Sequence, residues 1–451
     1  MIHNVLFNIR LKATVRRVLP FYLFTLLPLH SAAQQPWTLQ QCIDYALEHN
    51  ISVRQRENMV LQQQVQVANA KSQRLPDLSA SAGQNFSFGR GLTSENTYTN
   101  TNTSSTSFSL GTSVPIFTGF RIPNSIAVNR LNLQAATAEL EKAKNDIRMQ
   151  VAQEYVQILY YMEISEVAHR QIQIDSVQVA RLQALIDNGK ASLAELSQQK
   201  ATLAQSHLTA TQADNNTRLA LLTLSQLLEL PTPENFTIQS LVWKTESGEV
   251  PTPDQIFAEA LTTRPEIQAE HLRLSAAEKN IDIARSGWYP QLSFSAGLGS
   301  NYYRTSGFKA DGFAKQLKNN FSQYLGLNLS VPIFDRFSTR NSVRSAKLER
   351  ENQLLSLDNT KKQLYKEIQQ AYFNTVASSE KLKSSEQACE SAADAFRLVQ
   401  AKYENGKSTI TEFNESKNNY LRSSSDLTQA RYEYLYQQAL IRFYRGQPLS
   451  F

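Results

Sequence analysis

The tetrapeptide V-P-I-F occurs twice, at Val114 to Phe117 and at Val331 to Phe334, and each copy is followed by the tripeptide N-G-K, at Asn188 to Lys190 and Asn405 to Lys407. Pro115 and Asn188 are 73 positions apart, as are Pro332 and Asn405. Copies that keep their length are copies of long regular elements in register, because loops drift in length and packed helices do not. The duplication extends upstream at an offset of 214: Ala46-Leu47 is matched by Ala260-Leu261, and L-P-D-L-S-A-S-A-G (Leu75 to Gly83) by Y-P-Q-L-S-F-S-A-G (Tyr289 to Gly297). Between that run and V-P-I-F the offset grows to 217, which places a three-residue insertion where insertions are tolerated, at a loop tip.

Each copy reads as helix, strand, strand, very long helix, tight turn, helix. The first opening helix starts at the N-cap Thr38, with Gln41 three residues on in a capping-box pattern, and is expected to run to about Arg74, before Pro76. Its counterpart is expected from Pro253-Asp254 to about Ser286. After each V-P-I-F the pattern turns helical for about 64 residues, Asn124 to Asp187 and Asn341 to Glu404, or roughly 95 Å at ~1.5 Å per residue. Leu182, Leu185, Leu193, Leu196 and Leu203 line the first turn at near-heptad spacing, and Phe396, Val399, Tyr403, Ile410 and Phe413 the second. With Gly189 and Gly406 to reverse the chain, the arms form antiparallel coiled coils. The organisation is therefore repeat 1 at 34–230 with a β-hairpin at 77–114, a Pro-rich crossover at 231–253, repeat 2 at 254–445 with a hairpin at 291–331, and a tail at 446–451.

The strands carry one apolar and one small polar face. Leu78, Ala80, Ala82, Phe86 and Phe88 alternate with Ser79, Ser81, Gly83, Asn85 and Ser87, and Leu325, Leu327, Leu329 and Val331 alternate with Gly326, Asn328 and Ser330. Segments of ~10 residues with this alternation and flanking aromatics are the pattern of a transmembrane β-barrel. Four strands cannot close one, since the smallest membrane barrels have about eight, and an open edge in lipid leaves unpaired backbone groups. Two chains supply eight strands packed solid with side chains, and three supply twelve with a lumen.

The composition is rich in Gln, Ala, Ser, Leu and Asn, with only 41% hydrophobic residues and few Gly and Pro, as long helices require. Residues 1–33 read as a secretory signal: basic Arg10, Lys12, Arg16 and Arg17, apolar Val18 to Leu29, and small Ser31-Ala32-Ala33. Removing those four charges lowers the formal charge from +6 to +2, so the basic pI is no indication of nucleic acid. Cys42 and Cys389, about 34 and 52 residues from their respective strands, lie roughly 25 Å apart along parallel helix axes. That is beyond the ~7 Å limit for a disulfide, and both are expected to be free.

Taken in order, the motifs resemble the TolC family, the outer membrane factors of Gram-negative efflux and type I secretion systems. The resemblance covers Gln34 to Arg445 and rests on T-L-Q-Q-C-I-D-Y-A-L-E-H-N (Thr38 to Asn50), R-P-E-I (Arg264 to Ile267), the two V-P-I-F junctions and Y-E-N-G-K (Tyr403 to Lys407). It implies an α+β membrane protein: a homotrimer with a 12-stranded transmembrane β-barrel in outer membrane lipid and a hollow α-helical barrel of coiled coils reaching through the periplasm. Pro115 and Pro332 then mark the strand-to-helix junctions, and the crossover joins a belt around the helical barrel. The family is constricted at its periplasmic tip, which implies gate positions at Glu412 and Glu415, at Glu195 by the duplication, and at Tyr403, the tyrosine that bonds the first-hairpin carboxylate in family members. The basic latch residue of some members falls on Ser408, with Lys407 beside it. The hairpin tips, Asn188, Gly189, Lys190, Asn405, Gly406 and Lys407, are the implied docking points for a periplasmic adaptor protein, which links the duct to an inner-membrane pump of the RND, ABC or MFS type.

No catalytic pattern competes with this reading. Gly406-Lys407-Ser408 lacks the upstream glycine of a phosphate-binding loop, since Ala401 stands there. His49, His169, His207 and His271 lack ligand spacing, and no G-x-S-x-G or C-x-x-C occurs. No enzyme activity, metal or cofactor is expected. The alternatives are a periplasmic coiled-coil scaffold without channel activity, which salt or carbonate washing releases from membranes, and a diffusion porin, which admits nutrients without a partner.

Overall fold

The structure, a computed structural model, describes residues 36–92, 96–231, 236–240 and 250–449. The expected signal segment at 1–33 lies outside the described residues, as does much of the 231–253 crossover. The first repeat contains α1 (Leu39–His49), α2 (Ile51–Ser72), β1 (Ser79–Leu92), β2 (Tyr98–Thr118), α3 (Arg121–Asp187) and α4 (Leu193–Leu227). The second contains α5 (Pro253–Thr263), α6 (Pro265–Arg285), β3 (Gln291–Thr305), α7 (Phe313–Asn319), β4 (Ser322–Ser330), α8 (Ser338–Glu404) and α9 (Ile410–Tyr444). The long helices α3 and α8 have 67 residues each and the return helices α4 and α9 have 35 each. The equal lengths of α3 and α8 are what the constant 73-residue spacing required, and the return helices match each other as well.

Each opening helix is two helices rather than the expected one. The first breaks at Asn50, whose extended backbone (ψ 129°) ends α1 and caps α2, its side chain accepting from Ser52 N at 2.9 Å and donating to Leu227 O at 3.0 Å. The second breaks at Arg264, because a residue before proline is driven out of the helical region. The helix α2 also stops at Ser72, short of Arg74.

The junctions correct a second expectation. In the first repeat the strand does not hand over to helix at Pro115: β2 runs through it to Thr118, with a register shift between Pro115 and Phe117 on the β3 side. The turn follows at Gly119 and Phe120, both left-handed (φ 60° and 66°), and in the second repeat at Arg336 and Phe337 (φ 55° and 61°). The V-P-I-F phenylalanines stack edge-on against these left-handed residues, Phe117 on Phe120 at 5.2 Å and Phe334 on Phe337 at 5.6 Å. In the second repeat Asp335 accepts from Thr339 N at 2.7 Å, which ties the turn to the first turn of α8. The long helices accordingly start three residues earlier than the sequence suggested.

The four strands form one antiparallel sheet in the order β1-β2-β3-β4. β1 and β4 are not paired with each other, so both edges are open in the single chain. On one face Leu325, Leu327 and Leu329 stand exposed, while on the other Ser81 and Ser109 share a hydrogen bond at 2.7 Å. Beyond the reach of β4, the edge of β3 is covered by α7: Tyr303 N donates to Gln316 Oε1 at 2.9 Å, and Gln316 Nε2 donates to Tyr303 O at 3.0 Å. A polar side chain thus takes the place of a missing strand.

The main core lies where α1, α3 and α4 meet the end of α9, around Cys42, Val151, Tyr155, Ile158 and Leu224. The Tyr155 hydroxyl donates to Gln239 O at 2.7 Å and lies 3.1 Å from Trp37 O, so it stitches the two short segments that bridge at Trp37 and Ile238. A second cluster gathers Ile256, Ile267, Leu364, Ile368 and Tyr444. Cys42 is buried in the first core and Cys389 packs against a separate cluster around Leu382; both are free thiols. Burial pushes the Cys42 thiol up to about 12, which makes it inert near neutral pH.

Along one row of the sheet stand Ser79, Gly111, Gly297 and Tyr324. The Tyr324 ring lies so close over Gly297 that a Cβ there would meet ring carbons at 2.6 Å and 2.8 Å. Gly297→Val should displace the ring and lower stability by about 1–3 kcal/mol, the usual cost of overpacking. Thermal unfolding in detergent checks it against Gly312→Val, where nothing lies within 4 Å of the added carbon.

Candidate functional site: the tips of the two helical hairpins

Both hairpin turns are built alike. Gly189 and Gly406 take φ of 72° and 69°, and each is flanked by an asparagine whose side-chain amide donates to the helix, Asn188 to Ala184 O at 2.7 Å and Asn405 to Ala401 O at 2.8 Å. The return helices open with matching capping boxes. Ser192 accepts from Glu195 N, and Glu195 accepts from Ser192 N at 3.3 Å. Thr409 accepts from Glu412 N, and Glu412 accepts from Thr409 N at 3.0 Å and from the Ser408 hydroxyl. Asn188, Gly189, Lys190, Asn405, Gly406 and Lys407 are all exposed at the turns.

Glu195 and Glu412 are therefore equivalent under the duplication and share a local task, satisfying the first N–H groups of a helix. Glu415 is exposed three residues beyond Glu412. Hydrogen bonds from Ser408 and from the Thr409 backbone hold the Glu412 carboxyl below its ordinary value of 4.5. Tyr403 stacks on Phe413 at 5.0 Å and lies under the Arg181 guanidinium at 5.2 Å. Burial raises its pKa, with smaller opposing influences from Arg181 and Glu195. Among the described residues no hydrogen bond joins Tyr403 to Glu195. The link between hairpins at this level is instead Arg181 Nη2 donating to Glu404 O at 2.8 Å. The expected apolar stripes are in place around Leu182, Leu196, Phe396 and Phe413, all buried, but Leu193 at the start of α4 is exposed.

About one and a half turns beyond Glu412 along α9 lies a group that sequence reasoning missed. Lys417 Nζ sits 2.5 Å from Asp175 Oδ1, with both side chains essentially inaccessible to solvent. Asp175 also accepts from Ser206 Oγ at 2.6 Å, Gln171 Nε2 at 2.6 Å and Gln199 Nε2 at 3.2 Å, and Asn414 Nδ2 donates to Gln199 Oε1 at 3.3 Å. The helices α3 and α4 of the first hairpin are thereby clamped to α9 of the second. Gln171 Oε1, Gln178 Oε1 and Asn414 Oδ1 are buried without partners, so the network is not fully satisfied. The signal was present in the sequence as polar residues on the apolar stripe: Gln178 and Asp175 precede Leu182 by four and seven positions, and Lys417 follows Phe413 by four.

Among the described residues no helix is long and apolar enough to cross a membrane, and no group of three or more His, Cys, Asp or Glu could hold a metal ion. What the fold offers is an open amphipathic sheet joined to paired hairpins with helices of about 100 Å at ~1.5 Å per residue. That combination defines a membrane-anchored channel trunk.

The chain belongs to the outer membrane efflux protein family, whose model matches residues 42–229 and 256–447. The resemblance to the TolC family read from the sequence is borne out. The pyoverdine export outer membrane protein OpmQ of Pseudomonas aeruginosa is 26% identical over 410 residues, covering 86% of this chain and 80% of its own. Two solved structures share the fold: the outer membrane protein VceC of Vibrio cholerae (TM-score 0.74, 20% identity, 91% of this chain and 97% of that one) and the CmeC outer membrane channel of Campylobacter jejuni (TM-score 0.75, 18% identity, 92% and 87%). The chain is an outer membrane exit channel, and its family comprises channels rather than enzymes.

Two outcomes follow from this geometry. Lys417→Met leaves a buried carboxylate unpaired and should destabilise the hairpins by about 3–5 kcal/mol, whereas the double replacement Asp175→Leu with Lys417→Met should recover most of that loss. Denaturant unfolding of the single and double variants measures both. Because Glu412 is held below 4.5, its contribution to the α9 cap is complete above that pH and is lost as pH falls through the lower folded value. A carboxyl titration of Glu412 by NMR should give a midpoint under 4.5 that moves up in Ser408→Ala.

Proposed function

We propose that three copies of this chain close a 12-stranded barrel in the outer membrane and continue it as a helical duct through the periplasm. The duct is the passive exit of a tripartite efflux or type I secretion system. The observation that carries this reading is the open sheet: four strands with both edges unpaired and an exposed apolar face. Unpaired edges are costly in lipid, and pairing β4 of one copy with β1 of the next removes every edge at once.

The exposed turns at Asn188 to Lys190 and Asn405 to Lys407 dock a periplasmic adaptor, which connects the duct to an inner-membrane pump of the RND, ABC or MFS type. An N-terminal signal over residues 1–33 directs export. Glu195, Glu412 and Glu415 form acidic rings about the threefold axis at the tip, with Tyr403 beneath them. Crowded carboxylates attract cations and repel anions, so the constriction is cation-selective and blocked by divalent ions. The Asp175–Lys417 clamp sets the resistance to opening, because splaying the first hairpin from α9 separates these two residues. The unpartnered amide oxygens of Gln171, Gln178 and Asn414 gain water when that happens, which offsets part of the cost. Adaptor contact then shifts a population between two packings of the same helices.

Single channels in planar bilayers test this. Replacing Glu412 and Glu415 with Gln should abolish cation selectivity and divalent block, and Asp175→Asn should raise the open fraction of the otherwise intact channel. Selectivity and block unchanged in the double Gln variant refute the gate assignment. Protein that stays monomeric and out of bilayers refutes the duct.

A further inference from the structure

The duplication pairs Asn50 with Arg264 at the offset of 214, and the two residues break their helices in the same way. Their side chains do opposite things. Asn50 is self-contained, accepting from Ser52 N and donating to Leu227 O. Arg264 is at once the C-cap of α5 and the N-cap of the 21-residue α6, and its side chain makes no capping hydrogen bond on α6, leaving a positive group beside that helix's positive end. It is only 6% exposed, and its Cζ lies 4.6 Å from the ring centroids of both Phe443 and Tyr444. Nε and Nη2 are buried without a hydrogen-bond partner. Glu266, Glu367 and Asp146 act on it by charge at longer range, yet none supplies an acceptor to those two donors.

Arg264 lines a cleft of about 480 Å³ whose wall also carries Arg148, Gln40, Asn145 and Gln447. Arg148 is half-buried, and its Nη1 donates to Asn145 Oδ1 at 2.6 Å. Among the described residues no carboxylate lines the cleft. Two guanidinium groups and three carboxamides line one volume beside the start of α6. A buried donor without a partner is costly, and a planar guanidinium fork matches carboxylate or phosphate oxygens.

We propose that this cleft is a binding site for a small dissolved oxyanion, a carboxylate or phosphate, with the Arg264 guanidinium as its inner donor and Arg148 at its mouth. The occupant supplies the acceptor that Asn50 finds for itself in the other repeat, and it neutralises the positive end of α6. Ligand occupancy therefore couples to the joint between the α5–α6 pair and the end of α9.

The test uses the purified full chain in detergent, titrated with sodium phosphate or sodium acetate against sodium chloride at matched ionic strength, by calorimetry and by thermal unfolding. The expected result is one saturable site per chain for phosphate or acetate, with a melting temperature that keeps rising with the logarithm of concentration. Arg148→Gln should weaken binding tenfold or more while leaving the ligand-free melting temperature unchanged, and Arg264→Lys, which keeps the charge but not the fork, should weaken it further. If chloride matches phosphate and acetate, or if Arg148→Gln binds as tightly as the parent, the proposal fails. It fails also if the parent shows no saturable heat while Arg264→Gln dissociates the oligomer at every anion concentration, since a neighbouring subunit then supplies the acceptor.

Discussion

Backbone hydrogen bonding at the sheet edges is the constraint on which the molecule depends. A four-stranded sheet with an apolar face can live in lipid only if its first and last strands find partners, and within one chain β1 and β4 have none. Closure by identical copies places their helical hairpins side by side around the same axis, so the helices inherit the symmetry of the barrel. Equal helix lengths in the two repeats follow, because a ring of hairpins of unequal reach cannot form a common tip. The α7 helix fits the same logic on a smaller scale, since it caps the portion of β3 that β4 leaves unpaired.

The parts of the fold legible in the sequence were those governed by spacing. The equal separation of V-P-I-F and N-G-K specified equal hairpins, and strict alternation specified the two faces of each strand. The helix break at Arg264 was legible in the proline that follows it and was overlooked, whereas the break at Asn50 was not legible, because Asn50 follows a good helical pattern and its extended backbone is held by a bond to Leu227 O, 177 positions away. The junction was also misplaced. In the first repeat the proline of V-P-I-F lies inside β2, and in both repeats its phenylalanine packs on the left-handed Phe120 or Phe337. A bulky residue with positive φ is uncommon and is sustained only where its surroundings hold it, which no spacing rule reveals.

At the candidate site the sequence identified the turns and the acidic residues but missed the clamp. Glu195 and Glu412 explain themselves first as N3 residues of capping boxes at the start of the return helices, next to the turns. Capping therefore accounts for both carboxylates locally, and the proposed constriction would use them without removing that task. Asp175 and Lys417 were hidden because each looks like an ordinary solvated charge when read alone. Only the fold brings them together from different hairpins, and only burial makes the pairing consequential, since exposed ion pairs contribute about 0–1 kcal/mol.

A buried ion pair is a poor means of adding stability, because well-packed apolar residues of the same volume do as well or better. Its usefulness here lies in how its energy depends on distance. Apolar side chains at the seam between α3, α4 and α9 would tolerate sliding and partial separation with a gradual loss of contact. Asp175 and Lys417 tolerate neither: a small separation removes the ion pair and leaves two desolvated charges, while a larger one admits water and solvates both, along with the idle oxygens of Gln171, Gln178 and Asn414. The energy is therefore low at contact, high at slight opening and low again when the seam is wet. On the gating reading proposed above, two minima divided by a barrier would hold the duct in one state until a partner moved it to the other.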